Sequence, residues 1–152
     1  MLLKLPGTEL SGRTFSDDGA YIAVKIIVRM ARLRAEGRRI EDLISSLKQP
    51  TEAREVRFNI LKEDFAAYGQ QVLADFRAFC EEEPSFTIVE PNYEGVRISF
   101  DLEGKHGWVL LRMSLHDPVM PVNLESSEEG GCDLVWGKLL PFWKKWDGLS
   151  LK

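Results

Sequence analysis

Arg112, Ser114 and His116 stand at alternate positions of the segment Arg112-Met113-Ser114-Leu115-His116-Asp117-Pro118, gathering a guanidinium, a hydroxyl and an imidazole in one short stretch. Such groups hold an oxyanion. Arginine presents a planar fork of N–H donors that fits phosphate, serine offers a rotatable donor, and amides in a tight turn form an anion-binding nest. The plainer reading of the same segment is an ordinary turn, with Arg112 paired to a nearby carboxylate and Ser114 bonded to its own backbone.

A second segment, Gly7-Thr8-Glu9-Leu10-Ser11-Gly12-Arg13, carries the donors and acceptors that sugar hydroxyls need, because a carboxylate can accept from two adjacent hydroxyls. Taken alone it reads more simply as a turn ahead of the helix that Asp17-Asp18-Gly19 opens. No catalytic constellation emerges elsewhere. His106 falls in a polar hairpin turn, and His116 has no nucleophile arranged with it by a recognisable motif. Cys80 and Cys132 lack the close Cys or His spacing of a metal site and read as buried free thiols. There is no Walker-type loop and no Asp-rich metal-binding segment. Arg29, Arg32, Arg34, Arg38 and Arg39 form a local basic run, but Glu36, Glu41 and Asp42 lie among them, which makes the run a solvated face.

These groups need elements to position them. The 152 residues contain 20 Lys and Arg against 24 Asp and Glu, and the net charge of −4 gives no global electrostatic reason to bind nucleic acid or an acidic membrane. With 44% hydrophobic and 29% charged residues, the chain belongs with ordinary globular domains. Its apolar stretches are interrupted too soon to span a bilayer, and Met1 to Pro6 lacks the core of a signal peptide, so a cytoplasmic location is expected. A helix is predicted to Ala35, with Lys25, Arg29, Arg32 and Glu36 as its narrow polar stripe and Gly37 as its stop; the rest of its surface calls for cover. A second short helix is predicted around Ile40, Leu43, Ile44 and Leu47, ending before Pro50.

From Glu52 the period changes. Val56, Phe58 and Ile60 alternate as a strand, a helix follows at about residues 62–80, Ser85 to Glu90 comes next, and Val96 to Glu103 shows strict alternation. Gly104 to Gly107 is predicted to turn this strand into another at Trp108 to Ser114. A further strand at Val119 to Glu125 contains Pro121, which suits a sheet edge or a bulge. A last helix carries Val135, Leu139, Phe142 and Trp146 on one face, and Trp136 and Trp143 join them in packing it on the sheet. The order from residue 52 is strand, helix, three or four antiparallel strands joined by short turns, and helix, which fits an α+β layer with helices packed on one sheet face, preceded by a loop and two helices over residues 1–50.

Order and spacing then carry more than either loop alone. Glu9-Leu10-Ser11-Gly12-Arg13 precedes Asp18-Gly19-Ala20-Tyr21; Glu94-Gly95-Val96-Arg97-Ile98 and Trp108-Val109-Leu110-Leu111 lead into Arg112-Met113-Ser114-Leu115-His116-Asp117-Pro118; and Val119 to Ser126 follows. In this the chain resembles the C-terminal third of the α-D-phosphohexomutases, the phosphomannomutase and phosphoglucomutase family. That family has a sugar loop of the pattern Glu-x-Ser-Gly-His in its third domain. In its fourth it has a phosphate loop of the pattern Arg-x-Ser-Asn/Gly-Thr-Glu/Thr-Pro.

The resemblance implies a four-stranded antiparallel sheet with two packing helices, a TATA-box-binding-protein-like fold, for residues 51–152, after a remnant of the third domain in residues 1–50. It implies that Arg112 and Ser114, assisted by His116, hold the phosphate of a hexose phosphate, while Glu9, Ser11 and Arg13 meet the sugar. It implies partners too: a hexose phosphate substrate and the N-terminal domains of a phosphohexomutase, with neither nucleic acid nor membrane. The sequence departs from the pattern where Arg13 replaces His, Leu115 replaces Asn or Gly, His116 replaces Thr and Asp117 replaces Glu or Thr. The family's phosphoserine loop and magnesium-binding loop do not occur in this sequence, so magnesium and a hexose bisphosphate activator are implied for a full-length enzyme only. Mutase turnover is not expected of this chain alone. The alternative is a non-catalytic interaction module with a degenerate phosphate loop.

Overall fold

The computed structural model describes residues 19–151. The chain divides into two units, Met1–Lys48 and Gln49–Lys152. In the first, helix α1 spans Gly19–Ala35. Gly37, at φ 71°, ends it as expected: the Arg38 amide donates to the Leu33 carbonyl and the Gly37 amide to that of Arg34, the paired bonds of a Schellman stop. The helix is apolar on most sides, and Ile22, Val24, Ile26, Ile27, Val28 and Met30 remain 44% to 63% exposed. The expected second helix is only a 3-10 turn, Ile40–Leu43, in which the Arg39 amide donates to the Asp42 carboxylate. Leu43, Ile44 and Leu47, the residues that suggested a longer helix, stay exposed, so no packing offsets the cost of nucleating one. The two expected helices are thus one helix and one turn.

The second unit is an antiparallel sheet with two helices. Its strands are β1 (Glu52–Ile60), β2 (Phe86–Ile88), β3 (Gly95–Leu102), β4 (Lys105–Arg112), β5 (Val119–Ser126) and β6 (Leu149–Leu151), arranged β2-β3-β4-β5-β1-β6. The α+β expectation holds, but the sheet has six strands rather than four. Strand β2 lies within the Ser85 to Glu90 segment, and the addition with no sequence signal is β6, three residues long and too short to register as a period. The β3–β4 turn also lies earlier than its sequence signal. Glu103 and Gly104 both have positive φ and close a two-residue hairpin with Leu102 opposite Lys105, so Lys105 to Gly107 already belong to β4. Strand β5 is internal, not an edge; its pairing with β4 stops at Leu111 opposite Val122, and Pro121 sits just past that end, opposite Arg57 of β1.

One face of the sheet carries Phe58, Ile60, Val96, Ile98, Phe100, Val109, Leu111, Met120, Val122 and Leu124, all buried. Against it lie α2 (Phe65–Glu82) and α3 (Gly131–Trp143), which bury Val72, Phe76, Cys80, Val135, Leu139 and Phe142. Asp64 caps α2 by accepting from the Ala67 amide at 3.0 Å. The α3 start is capped from the sheet instead, where the Glu52 carboxylate of β1 accepts from the amides of Gly130 and Cys132 at 2.7 and 2.9 Å. As expected, the tryptophans pack α3 on the sheet: the Phe58 and Trp143 rings lie 4.9 Å apart, and Trp136 stacks on Phe58. Both cysteines are buried free thiols, and burial pushes Cys80 up to about 12. No helix among the described residues is long and apolar enough to cross a membrane.

Candidate functional site

The segment that drew attention in the sequence is the β4–β5 loop. Alternation along β4 turns Val109 and Leu111 into the core and leaves Leu110 and Arg112 on the face that bears no helix. Arg112 is the last residue of β4, opposite Gly95 at the start of β3. A Cβ at Gly95 would lie 2.1 Å from the Leu111 carbonyl oxygen and 3.0 Å from the Arg112 Cα, so only glycine lets β3 begin this close to Arg112.

The Arg112 side chain is half-buried. Its Nε is shut off from solvent with no hydrogen-bond partner, and among the described residues no carboxylate lies within ion-pair distance of it. Glu55 of β1 is the acidic group that feels its charge, but that carboxylate is occupied. It accepts from Arg57 and Asn123, whose hydrogen bonds hold it below the usual glutamate range, with the charges of Arg57 and Arg112 adding to the effect. The ordinary-turn reading therefore fails for Arg112.

It succeeds for Ser114. The Ser114 amide donates to the Val119 carbonyl at 2.9 Å, and its Oγ accepts from the amides of His116 at 3.4 Å and Asp117 at 3.2 Å. The hydroxyl shapes its own turn, and two amides that a nest would offer to an anion point at it. His116, Asp117 and Pro118 are exposed, and Leu115 is 82% exposed. The loop is held from two other directions. The Ile60 amide of β1 donates to the Pro118 carbonyl at 2.7 Å, and Met113 packs against α2 so closely that a Cβ at Gly69 would lie 2.3 Å from its sulfur. The structure thus links Ser114 and His116 through one hydrogen bond and leaves Arg112 bonded to neither.

Beside the loop, on the helix side of the sheet, a groove of about 530 Å³ is lined by Leu73, Arg77, Asn92, Tyr93, Met113 and Leu115 among others. Arg112, Ser114 and His116 do not line it. Arg112 is displayed on the open sheet face, together with residues to which the sequence assigned no binding role: Arg97 of β3, Trp108 and Leu110 of β4, Asn123 and Glu125 of β5, and Glu55 and Arg57 of β1. The alternation of β3 and β4 already separated Arg97 and Arg112 from the core positions. What it lacked was the register that makes them neighbours.

Glu9, Ser11 and Arg13 lie outside the described residues. Among the described residues no group of three His, Cys, Asp or Glu side chains is clustered to hold a metal ion. His106 is exposed, with its ring nitrogens 3.5 Å from Asp101 and 3.6 Å from Glu128. No protein-family model matches the chain, and no curated protein matches it.

Proposed function

We propose that this chain is the sugar-phosphate-binding C-terminal part of an α-D-phosphohexomutase of the phosphomannomutase and phosphoglucomutase kind. In this reading the β4–β5 loop anchors the phosphate of a hexose phosphate and closes the active site over it. The observation that carries the reading is Arg112, a half-buried arginine without a carboxylate partner among the described residues, at the entrance to the loop that resembles the family's phosphate motif. A guanidinium in that state has lost part of its hydration without gaining a counter-ion, and an oxyanion supplies both charge and acceptors. The strand, helix, strands, helix order of residues 52–143 also fits the TATA-box-binding-protein-like domain that the resemblance implies.

Arg112 takes the phosphate in its fork, His116 approaches from the exposed tip, and the Ser114 hydroxyl, whose oxygen accepts from its own loop, donates its O–H. Glu9, Ser11 and Arg13 orient the sugar. The phosphoryl donor and magnesium belong to other domains of the enzyme, because in-line transfer needs both held together at the reacting oxygen. Isothermal titration with glucose 1,6-bisphosphate tests the binding claim. Weak, salt-sensitive binding is expected, reduced about ten- to a hundredfold by Arg112→Ala, the range that one charge-assisted contact contributes. Absence of binding sinks it. Incubation with hexose 1-phosphate, magnesium and the bisphosphate is expected to yield no 6-phosphate, and clear production would refute the division of labour.

A second reading has one observation in its favour: the Ser114 hydroxyl is engaged by the His116 and Asp117 amides. If that engagement is permanent, the loop is a degenerate phosphate loop on an interaction module, and the same titration gives no heat.

A further inference from the structure

Residues 49–151 contain five arginines, and they fall into two groups. Arg54 pairs with Asp133, Arg57 with Glu55, and Arg77 with Glu81 and Glu90. Arg97 and Arg112 pair with no carboxylate among the described residues, and both keep a buried Nε without a hydrogen-bond partner. These two are neighbours. Arg97 of β3 lies opposite Leu110 of β4, and Arg112 is the next residue of β4 on the same face. Such diagonal positions are roughly 7–8 Å apart, within reach of long side chains.

Arg97 is also held in place. Its guanidinium lies 4.5 Å from the centre of the Trp108 ring, and the Trp108 indole N–H donates to Glu125 at 2.9 Å, which fixes the ring. Stacking uses the face of a guanidinium and leaves its in-plane donors free for an acceptor. The acidic neighbours on this part of the sheet are already engaged, Glu125 by Trp108 and Glu55 by Arg57 and Asn123. What remains, among the described residues, is a pair of unpaired arginines at diagonal positions on either side of Leu110.

We propose that Arg97 is the second arm of the phosphate site, and that Arg97 and Arg112 together bind the dianion of one phosphate monoester across Leu110 on the helix-free face. The proposal rests on the reading that the β4–β5 loop receives a phosphate, and it adds a residue outside that loop. Two arginine forks match a tetrahedral dianion in charge and in number of acceptors; a carboxylate, with one charge and two oxygens, satisfies only one.

The test follows the arginine Nε–Hε signals of the full, nitrogen-15-labelled chain by NMR during titration with glucose 6-phosphate, inorganic phosphate and acetate. Both signals are expected to move with one shared dissociation constant for the two phosphates and to stay nearly still with acetate. Arg97→Gln is expected to weaken glucose 6-phosphate binding about ten- to a hundredfold. Arg97→Lys keeps the charge without the fork and is expected to fall between the two; it also keeps the test open if the glutamine variant fails to fold. If Arg112 responds while Arg97→Gln binds as tightly as the parent, the second arm is refuted and the phosphate reading survives. If neither signal responds, both fail. Acetate moving the signals as strongly as phosphate overturns the assignment of a dianion.

Discussion

Ser114 accepts hydrogen bonds from two amides of its own loop, so its first effect is on the shape of the turn after Arg112. Ser114→Ala is accordingly expected to lower stability by about 0.5–1.5 kcal/mol, the range for losing such bonds, and Ser114→Thr to retain most of it; thermal unfolding without ligand measures both. Glu52 carries a different prediction. The amides of Cys132 and Gly130 hold its carboxyl below the usual glutamate range, so the folded state disfavours its protonation relative to the unfolded chain. Its contribution is present above the unfolded value of about 4.3 and is lost as pH falls from there through the folded value. Midpoints measured between pH 7 and pH 3 are expected to drop at the acidic end, and less steeply in Glu52→Gln. The residue types at the phosphate loop were legible in the sequence; their engagements were not. Nothing in the spacing of Arg112 and Ser114 tells which of them has a partner, because the carboxylate nearest in effect to Arg112, Glu55, lies on β1 and is taken by Arg57 of the same strand and Asn123 of β5.

At the level of elements, α2 and the β4–β5 loop meet where Gly69 admits the Met113 side chain. In an exposed helix, replacing glycine by alanine stabilises by roughly 1 kcal/mol. Here the added methyl displaces the Met113 sulfur, so Gly69→Ala is expected to show none of that gain and to shift the amide signals of Ser114 and His116. A gain of the full helix amount, with those signals unmoved, would show that the loop does not lean on α2. Long, strongly periodic elements were readable beforehand: α1 with its glycine stop, the alternation of β3, and the apolar face of α3. The pieces that escaped are short or set by partners. Strand β6 has three residues, and the 3-10 turn at Ile40 has a helical pattern whose Leu43, Ile44 and Leu47 stay exposed. Pro121 argued for a sheet edge or a bulge, yet β5 is internal; it tolerates the proline because its ladder with β4 ends before that residue.

For the whole molecule, every residue of the core cluster lies between Phe58 and Trp143. A fragment of residues 49–152 is therefore expected to unfold in one cooperative transition, coincident by circular dichroism and by tryptophan fluorescence. Separated transitions would mean that the sheet and helices do not form a single core. The α+β class was legible because hydrophobic period and turn residues set it locally. Sheet order was not, because it depends on which strands meet across long stretches of chain. Strand β1 comes first in the sequence of this unit, yet it lies between β5 and β6, the last two strands to be made. During synthesis on the ribosome, its apolar side chains and both of its unpaired edges must wait until nearly the whole unit has emerged. The lower the temperature or the slower translation of the final segment, the longer that strand is open to capture by chaperones or by other nascent chains.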